Sequence, residues 1–106
     1  MYILNHSCKV ERPVLNAFIR WINDYYGEKD KNGNQLHDYR YSKLCAPLED
    51  DDSVIIIIQV FIDEIHEVLD LYLTEQQEIF QTRMYQAFQN RVLSFLTLME
   101  VLKKHD

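Results

Sequence analysis

The hydrophobic pattern at the start of the chain changes from a period of two residues to the helical period. Residues 2–10 alternate Tyr, Leu, His, Cys and Val with Ile, Asn, Ser and Lys, which predicts a strand with one apolar face. A helical stripe then begins just after Pro13 and predicts an amphipathic helix; its members are Val14, Phe18, Trp21, Ile22 and Tyr25. Gly27 stands where a left-handed cap would close this helix.

The middle of the chain predicts two more strands. The first covers 39–48 and contains Pro47, which cannot donate to a ladder and therefore favours a sheet edge. Four acids at 49–52 form the predicted turn. The next strand, 54–62, is rich in β-branched residues and apolar on both faces, as is typical of a central strand.

A second helical stripe opens at Asp63, and a last strand closes the chain. The stripe comprises Ile65, Val68, Leu69, Tyr72, Ile79, Phe80, Met84, Ala87 and Phe88. Thr74 and Gln77 have the spacing of a capping box, so one helix and two helices bent near Thr74 both remain open. The final strand covers 92–102 and is again apolar on both faces.

This order of elements, β-α-β-β-α-β, predicts one α+β domain over residues 1–106 with the ferredoxin-like arrangement. Right-handed crossovers give a four-stranded antiparallel sheet with both helices on one face, the first and third strands central, and the second at an edge. The third and fourth strands then have an apolar face that no helix covers. A homodimer of the dimeric α/β-barrel type, formed through this open face, is the preferred prediction over a monomer.

Charge and composition exclude several classes of function. The chain has 106 residues, 47% of them hydrophobic, and a net charge of -6 that should repel nucleic acid. No apolar run is long enough to span a membrane, and the N-terminus lacks the pattern of a secretory signal, so we predict a cytoplasmic protein. Cys8 and Cys45 fall on strands that the third strand would separate, which predicts two reduced thiols and no zinc motif.

The chain resembles an uncharacterised bacterial family of short proteins, a domain of unknown function of about this length. The resemblance rests on Met1-Tyr2-Ile3 with Asn5, on Trp21 in the first helix, and on the final strand at 95–101. Members often have a His-Ala-Pro-like break in the second helix, whereas this chain has Gln76-Gln77-Glu78 there. The resemblance implies a dimeric barrel of ferredoxin-like subunits and implies no activity.

Four residues are weak candidates for catalysis: Asn5, His6, His66 and Glu100. Haem-degrading proteins of this fold class use an Asn, a Trp and a His; Asn5 and His66 match in part, but the only Trp lies in the first helix. A solvent-facing His66 is preferred over an iron ligand.

Structural roles are preferred for the other two candidates. His6 fits a buried neutral imidazole bonded to a Tyr or a backbone carbonyl better than a general base. Glu100 fits an ion pair with Lys9, Arg40 or Lys43 better than an acid or base. Asn5, Ser7 and Lys9, on the opposite face from His6, could line a dimer cavity with Ser94 or Thr97.

The sequence thus favours a non-catalytic, homodimeric ligand-binding or regulatory module without cofactor or metal. A small molecule is a further expected partner, and nucleic acid and membrane are not. The alternative is a cofactor-independent or haem-using monooxygenase that works in the barrel cavity of the dimer.

Overall fold

The computed structural model describes residues 1–45, 52–66 and 75–103. The strands are β1 (Tyr2–Glu11), β2 (Asp38–Lys43), β3 (Ser53–Ile62) and β4 (Val92–Glu100). The helices are α1 (Leu15–Tyr26) and α2 (Glu75–Phe88), and short 3₁₀ turns precede α1 at Arg12–Val14 and β4 at Gln89–Arg91. The predicted α+β class is therefore confirmed.

The four strands form one antiparallel sheet in the order β2-β3-β1-β4. β1 pairs along its length with β3 on one side, from Tyr2 opposite Ile62 to Glu11 opposite Ser53. On its other side it pairs with β4, from Tyr2 opposite Glu100 to Val10 opposite Val92. β2 and β4 are the two edge strands.

Both helices pack on the same face of the sheet. α1 contributes Phe18, Ile22 and Tyr26, which are buried because their spacing of four residues keeps them on one side of the helix. α2 contributes Phe80, Met84 and Phe88 with the same spacing. These side chains meet the alternate residues of the sheet that point toward the helices, namely Leu4, His6, Cys8, Val10, Val54, Ile56, Ile58, Val60, Ile62 and Val92.

Several predicted boundaries are wrong. β2 ends at Lys43 and not at residue 48; Pro47 and most of the acidic turn, 49–51, lie outside the described residues. β4 ends at Glu100, two residues earlier than expected. Asp63 and Glu64 are not helical, and the proposed bend at Thr74 also falls outside the described residues.

Two further expectations about the helices are wrong. Ile65 and Ala87 were assigned to the apolar stripe, yet both are exposed. Gly27 follows α1 with φ −81°, so it is not a left-handed cap. It is needed for a different reason, because a Cβ there would overlap the carbonyl oxygen of Asn23, which accepts a hydrogen bond from the Gly27 amide.

Candidate functional site

A histidine and a tyrosine form a polar pair inside the core between the sheet and the helices. His6 is fully buried on β1, and its Nε2 lies 2.8 Å from the hydroxyl oxygen of Tyr26 at the end of α1. The centroid of the His6 ring also lies 4.5 Å from the centroid of the Phe80 ring on α2. The second ring nitrogen, Nδ1, is buried without a hydrogen-bond partner among the described residues. One imidazole therefore joins the sheet to both helices.

Burial holds both members of this pair in their neutral forms. Desolvation lowers the pKa of His6 from 6.5 to about 4, because a charged imidazolium has little hydration in the core. Desolvation likewise raises the pKa of the Tyr26 phenol, with smaller contributions from the neighbouring Tyr25 and Cys8. His6 is thus a neutral imidazole bonded to a tyrosine, the arrangement preferred for it from the sequence. Sequence reasoning missed Tyr26, although it lies eight residues after Phe18 on the same helical stripe.

The opposite face of the sheet has no helix against it in the described part of the chain, and its positions on β3 and β4 are mostly apolar. On β4, Leu93, Phe95 and Met99 are 58%, 71% and 39% exposed. On β3, Ile55, Ile57 and Phe61 are half-buried. Between these two strands, β1 contributes Asn5, Ser7 and Lys9 as well as Ile3. We call this surface the open face. Large exposed apolar side chains grouped on one face of a folded protein mark a site of interaction.

One row of polar side chains crosses the open face from edge to edge. The strand register aligns Arg40 with Gln59, Gln59 with Asn5, and Asn5 with Thr97. The rows on either side mix polar and apolar residues: Asp38, Phe61, Ile3 and Met99 in one direction, and Ser42, Ile57, Ser7 and Phe95 in the other. We call these four residues, Arg40, Gln59, Asn5 and Thr97, the polar row.

The polar row is partly bonded internally. Nε of Arg40 donates to Oε1 of Gln59 at 2.9 Å, and the guanidinium lies 5.2 Å from the centroid of the Phe61 ring. Nδ2 of Asn5 donates to Oγ of Ser7 at 3.3 Å, one step along the same strand. Arg40 is therefore held flat on the sheet by a hydrogen bond and a cation–π contact. Sequence reasoning did not identify Arg40, Gln59 and Phe61 as a group, because only the register brings them together.

The structure does not bring the four catalytic candidates together. Asn5 and His6 are neighbours on β1 and point to opposite faces of the sheet, because side chains alternate along a strand. His66 is exposed beyond the end of β3. Glu100 is exposed at the last position of β4. The four side chains therefore do not surround a common site.

Two sequence-based expectations about partners are wrong. Glu100 lies opposite Tyr2, whereas Lys9 lies opposite Leu93 at the other end of β4 and β2 is at the far edge of the sheet, so the expected ion pairs do not form. Ser94 is on the core side of the sheet and not on the open face. Its hydroxyl accepts a hydrogen bond from the Cys8 thiol, with 3.7 Å between the sulfur and the hydroxyl oxygen. Thr97 does lie on the open face, directly opposite Asn5.

The two cysteines are free and lie in different surroundings. Cys8 is fully buried on β1, and burial raises the pKa of its thiol to about 11. Cys45 is exposed just beyond β2, and its thiol faces the carbonyl oxygen of Lys43 at 3.6 Å. The thiolate is the reactive form, so Cys8 is chemically inert at neutral pH.

A cleft of about 540 Å³ opens where β1 ends and β3 and β4 begin. Its lining includes Lys9, Glu11, Asp52, Arg91 and Leu93, so that both signs of charge surround it. Lys9 and Leu93 belong to the open face, and the cleft is therefore continuous with one end of that surface.

Two searches of the described residues give negative results. No group of three or more His, Cys, Asp or Glu side chains is placed to hold a metal ion. Neither α1 nor α2, nor any other helix in the described part of the chain, has the length and hydrophobicity needed to cross a bilayer.

Fold and site together define a small two-layer α+β protein whose sheet has helices on one face and, in the described part of the chain, none on the other. Residues 1–102 match the family described as a domain of unknown function, DUF4286. The match covers nearly the whole chain, and the protein belongs to this family. No curated protein and no solved structure shows significant similarity to the chain.

Proposed function

We propose that the protein is a non-catalytic binding module that works as a homodimer, in which two ferredoxin-like subunits join their open faces into a dimeric α/β barrel. The observation that carries this proposal is the exposure of Leu93, Phe95 and Met99 on the face opposite the helices. Leaving such side chains in water forgoes about 25 cal/mol for each Å² of apolar surface. A second copy offers the same surface and covers it in a closed, two-fold assembly.

The size of the open face supports a second copy as the occupant. Strands lie about 4.8 Å apart and rise about 3.4 Å per residue, so β1, β3 and β4 with nine or ten residues and β2 with six give a face of roughly 550 Å². Two such faces together bury about 1,100 Å², close to the lower limit for specific and stable interfaces. Two sheets that pack face to face also bury their inner side chains in a layer about 10 Å thick, as in a β-sandwich.

The placement of the candidate residues supports a role without catalysis. His6 is the only one of them in the core, where its pKa of about 4 leaves it neutral and bonded to Tyr26. The haem-using alternative needs Asn5 and His66 around one porphyrin, but Asn5 lies on the open face in the middle of β1, whereas His66 is exposed beyond the end of β3. His6 points away from Asn5 into the core. No observation favours the oxygenase. The cleft beside Lys9 and Arg91 is the place that we assign to a small polar ligand of the module.

The test is the oligomeric state of the purified protein and of two matched variants. Phe95→Glu puts a carboxylate in the open face, and Tyr85→Glu makes the same kind of change at a side chain of α2 that is 57% exposed. Burial of one phenylalanine is worth about 1.5 to 3 kcal/mol, and a dimer contains two. We therefore expect Phe95→Glu to weaken dimerisation by at least about a hundredfold and Tyr85→Glu to leave it unchanged.

Sedimentation equilibrium gives the dissociation constants, and native mass spectrometry of the wild-type protein shows any ligand that it retains. Both variants change exposed positions, and the near-ultraviolet circular dichroism of Trp21 checks that each is folded. A monomeric wild-type protein would refute the proposal. So would a dimer that tolerates Phe95→Glu as well as it tolerates Tyr85→Glu.

A further inference from the structure

This inference rests on the dimer proposed above and concerns the polar row within it. If two open faces pack together, the side chains of Asn5, Gln59 and Thr97 become buried along with those of the neighbouring rows. A buried amide or hydroxyl costs free energy unless it is hydrogen-bonded. The orientation of the two sheets therefore has to give each polar row a polar partner.

A two-fold axis in the plane between the open faces can run along the strands, across them or at an angle between, and its two limiting directions place the polar row differently. An axis along the strands keeps every residue at its own height and reverses the strand order, so that β3 covers the partner's β1 and β2 covers the partner's β4. The polar row then covers the partner's polar row wherever the axis lies. An axis across the strands reverses the height, so that the two rows meet only if the axis passes through them.

The contents of the polar row distinguish these two orientations. With the axis along the strands, Asn5 faces the partner's Gln59 and Arg40 faces the partner's Thr97. With the axis across the strands and through the row, each residue faces its own copy, so that Arg40 meets the partner's Arg40. Like charges brought together at an interface cost several kcal/mol. Moving that axis by half a row sets Asn5 against the partner's Ser7 and Arg40 against the partner's Ser42, but it also buries Gln59 against Ile57 and Thr97 against Phe95.

We infer that the polar row fixes the orientation of the dimer, with the two-fold axis along the strands and Asn5 of each copy bonded to the partner's Gln59. Each amide can donate and accept, so the symmetric pair satisfies itself twice in one dimer. The hydroxyl of the partner's Thr97 accepts from a terminal nitrogen of the Arg40 guanidinium, whose Nε donates to Gln59. The neighbouring apolar side chains supply affinity, and the polar row selects one packing from several.

Mixing charged variants tests this orientation directly. Asn5→Lys places an ammonium group opposite the partner's Gln59, and Gln59→Glu places a carboxylate there. Each variant alone lacks an opposite charge across the interface and should dimerise more weakly than the wild type, Gln59→Glu less so because Arg40 of the same subunit already contacts that side chain. A mixture of the two should form heterodimers, favoured over both homodimers by at least about tenfold, the lower end of the coupling measured for close interfacial charge pairs.

A second mixture provides the matched control. Asn5→Lys with Asn5→Glu forms a favourable charge pair only if Asn5 faces the partner's Asn5, which is the arrangement with the axis across the strands. The variants differ in mass, so native mass spectrometry counts homodimers and heterodimers in one spectrum. Circular dichroism of each variant before mixing ensures that only folded protein is compared.

The outcomes separate this inference from the proposed dimer. Preferential heterodimers in the first mixture and not in the second support the orientation. A preference for heterodimers in the second mixture, or in neither mixture, overturns the orientation. The proposed dimer itself still stands if the wild type is dimeric and Phe95→Glu dimerises much more weakly. If the wild-type protein is monomeric, the proposed function and this inference both fail.

Discussion

The buried pair of His6 and Tyr26 should make the stability of the protein depend on pH in a defined window. The folded protein holds the pKa of His6 at about 4, against 6.5 for an ordinary histidine. Between these values the unfolded chain binds a proton that the folded protein excludes. Because the unfolded state binds more protons there, the free energy of unfolding falls as pH falls.

The magnitude follows from the two pKa values. Above about pH 7.5 the imidazole is almost wholly neutral in both states and contributes little pH dependence. A difference of about 2.5 in pKa, at 1.36 kcal/mol each, amounts to roughly 3 kcal/mol lost by pH 4. About 2 kcal/mol of this disappears between pH 7.5 and pH 5, where most carboxylates are still ionised. A domain of this size has about 5 to 15 kcal/mol in total, so the loss is readily measured.

The assay is chemical denaturation at several pH values and one protein concentration, since dimerisation would shift the apparent stability. The test variant is His6→Leu combined with Tyr26→Phe, which removes both polar atoms of the buried pair and leaves neither without its partner. The control is His66→Gln, at an exposed histidine.

The control should lose the same free energy as the wild type between pH 7.5 and pH 5, and the double variant should lose about 2 kcal/mol less. If the double variant loses as much as the wild type, the acid sensitivity belongs to the carboxylates and the reasoning about His6 is wrong.

Two further predictions concern the thiols and the end of α1. In the native protein one thiol, Cys45, should react with a thiol reagent within minutes, while Cys8 should react only after denaturant is added; two rapidly reacting native thiols would contradict the burial of Cys8. Gly27→Ala should lower the free energy of unfolding by about 1 to 3 kcal/mol, because the new Cβ overlaps the Asn23 carbonyl oxygen. Thermal unfolding measures this loss, and an unchanged midpoint would show that the chain relaxes there at no cost.

The sequence predicted the covered half of the molecule better than the open half. The alternation along β1 identified the buried face that contains His6, and the β-branched run identified β3 as a strand apolar on both faces. These patterns are local, and each follows from the period of a single element. The end of β2 was placed at residue 48, whereas the strand ends at Lys43 and Leu44 adds one further backbone hydrogen bond to Ile55. The apolar residue types after Lys43 prolong a strand-like pattern in the sequence, and residues 46–48 lie outside the described residues.

Contacts between elements needed information that no single pattern contains. Tyr26 reaches His6 across twenty positions of the chain, and the sequence offered only the general expectation of a tyrosine or a carbonyl. The polar row depends on the register of three strand pairs, and a slip of one residue would turn every one of its side chains to the other face. Glu100 was paired with the wrong partners for the same reason, because the register places it opposite Tyr2.

The position of β4 at the edge of the sheet has a consequence for aggregation. From Val92 to Met99 this edge strand has no charged residue and no proline, the two devices that usually discourage a strand edge from adding foreign strands. In the homodimer proposed above, a newly made subunit would expose both its open face and the unpaired backbone edge of β4 until it dimerises. Aggregation would compete with dimerisation during that interval, so faster dimerisation would leave less protein to aggregate.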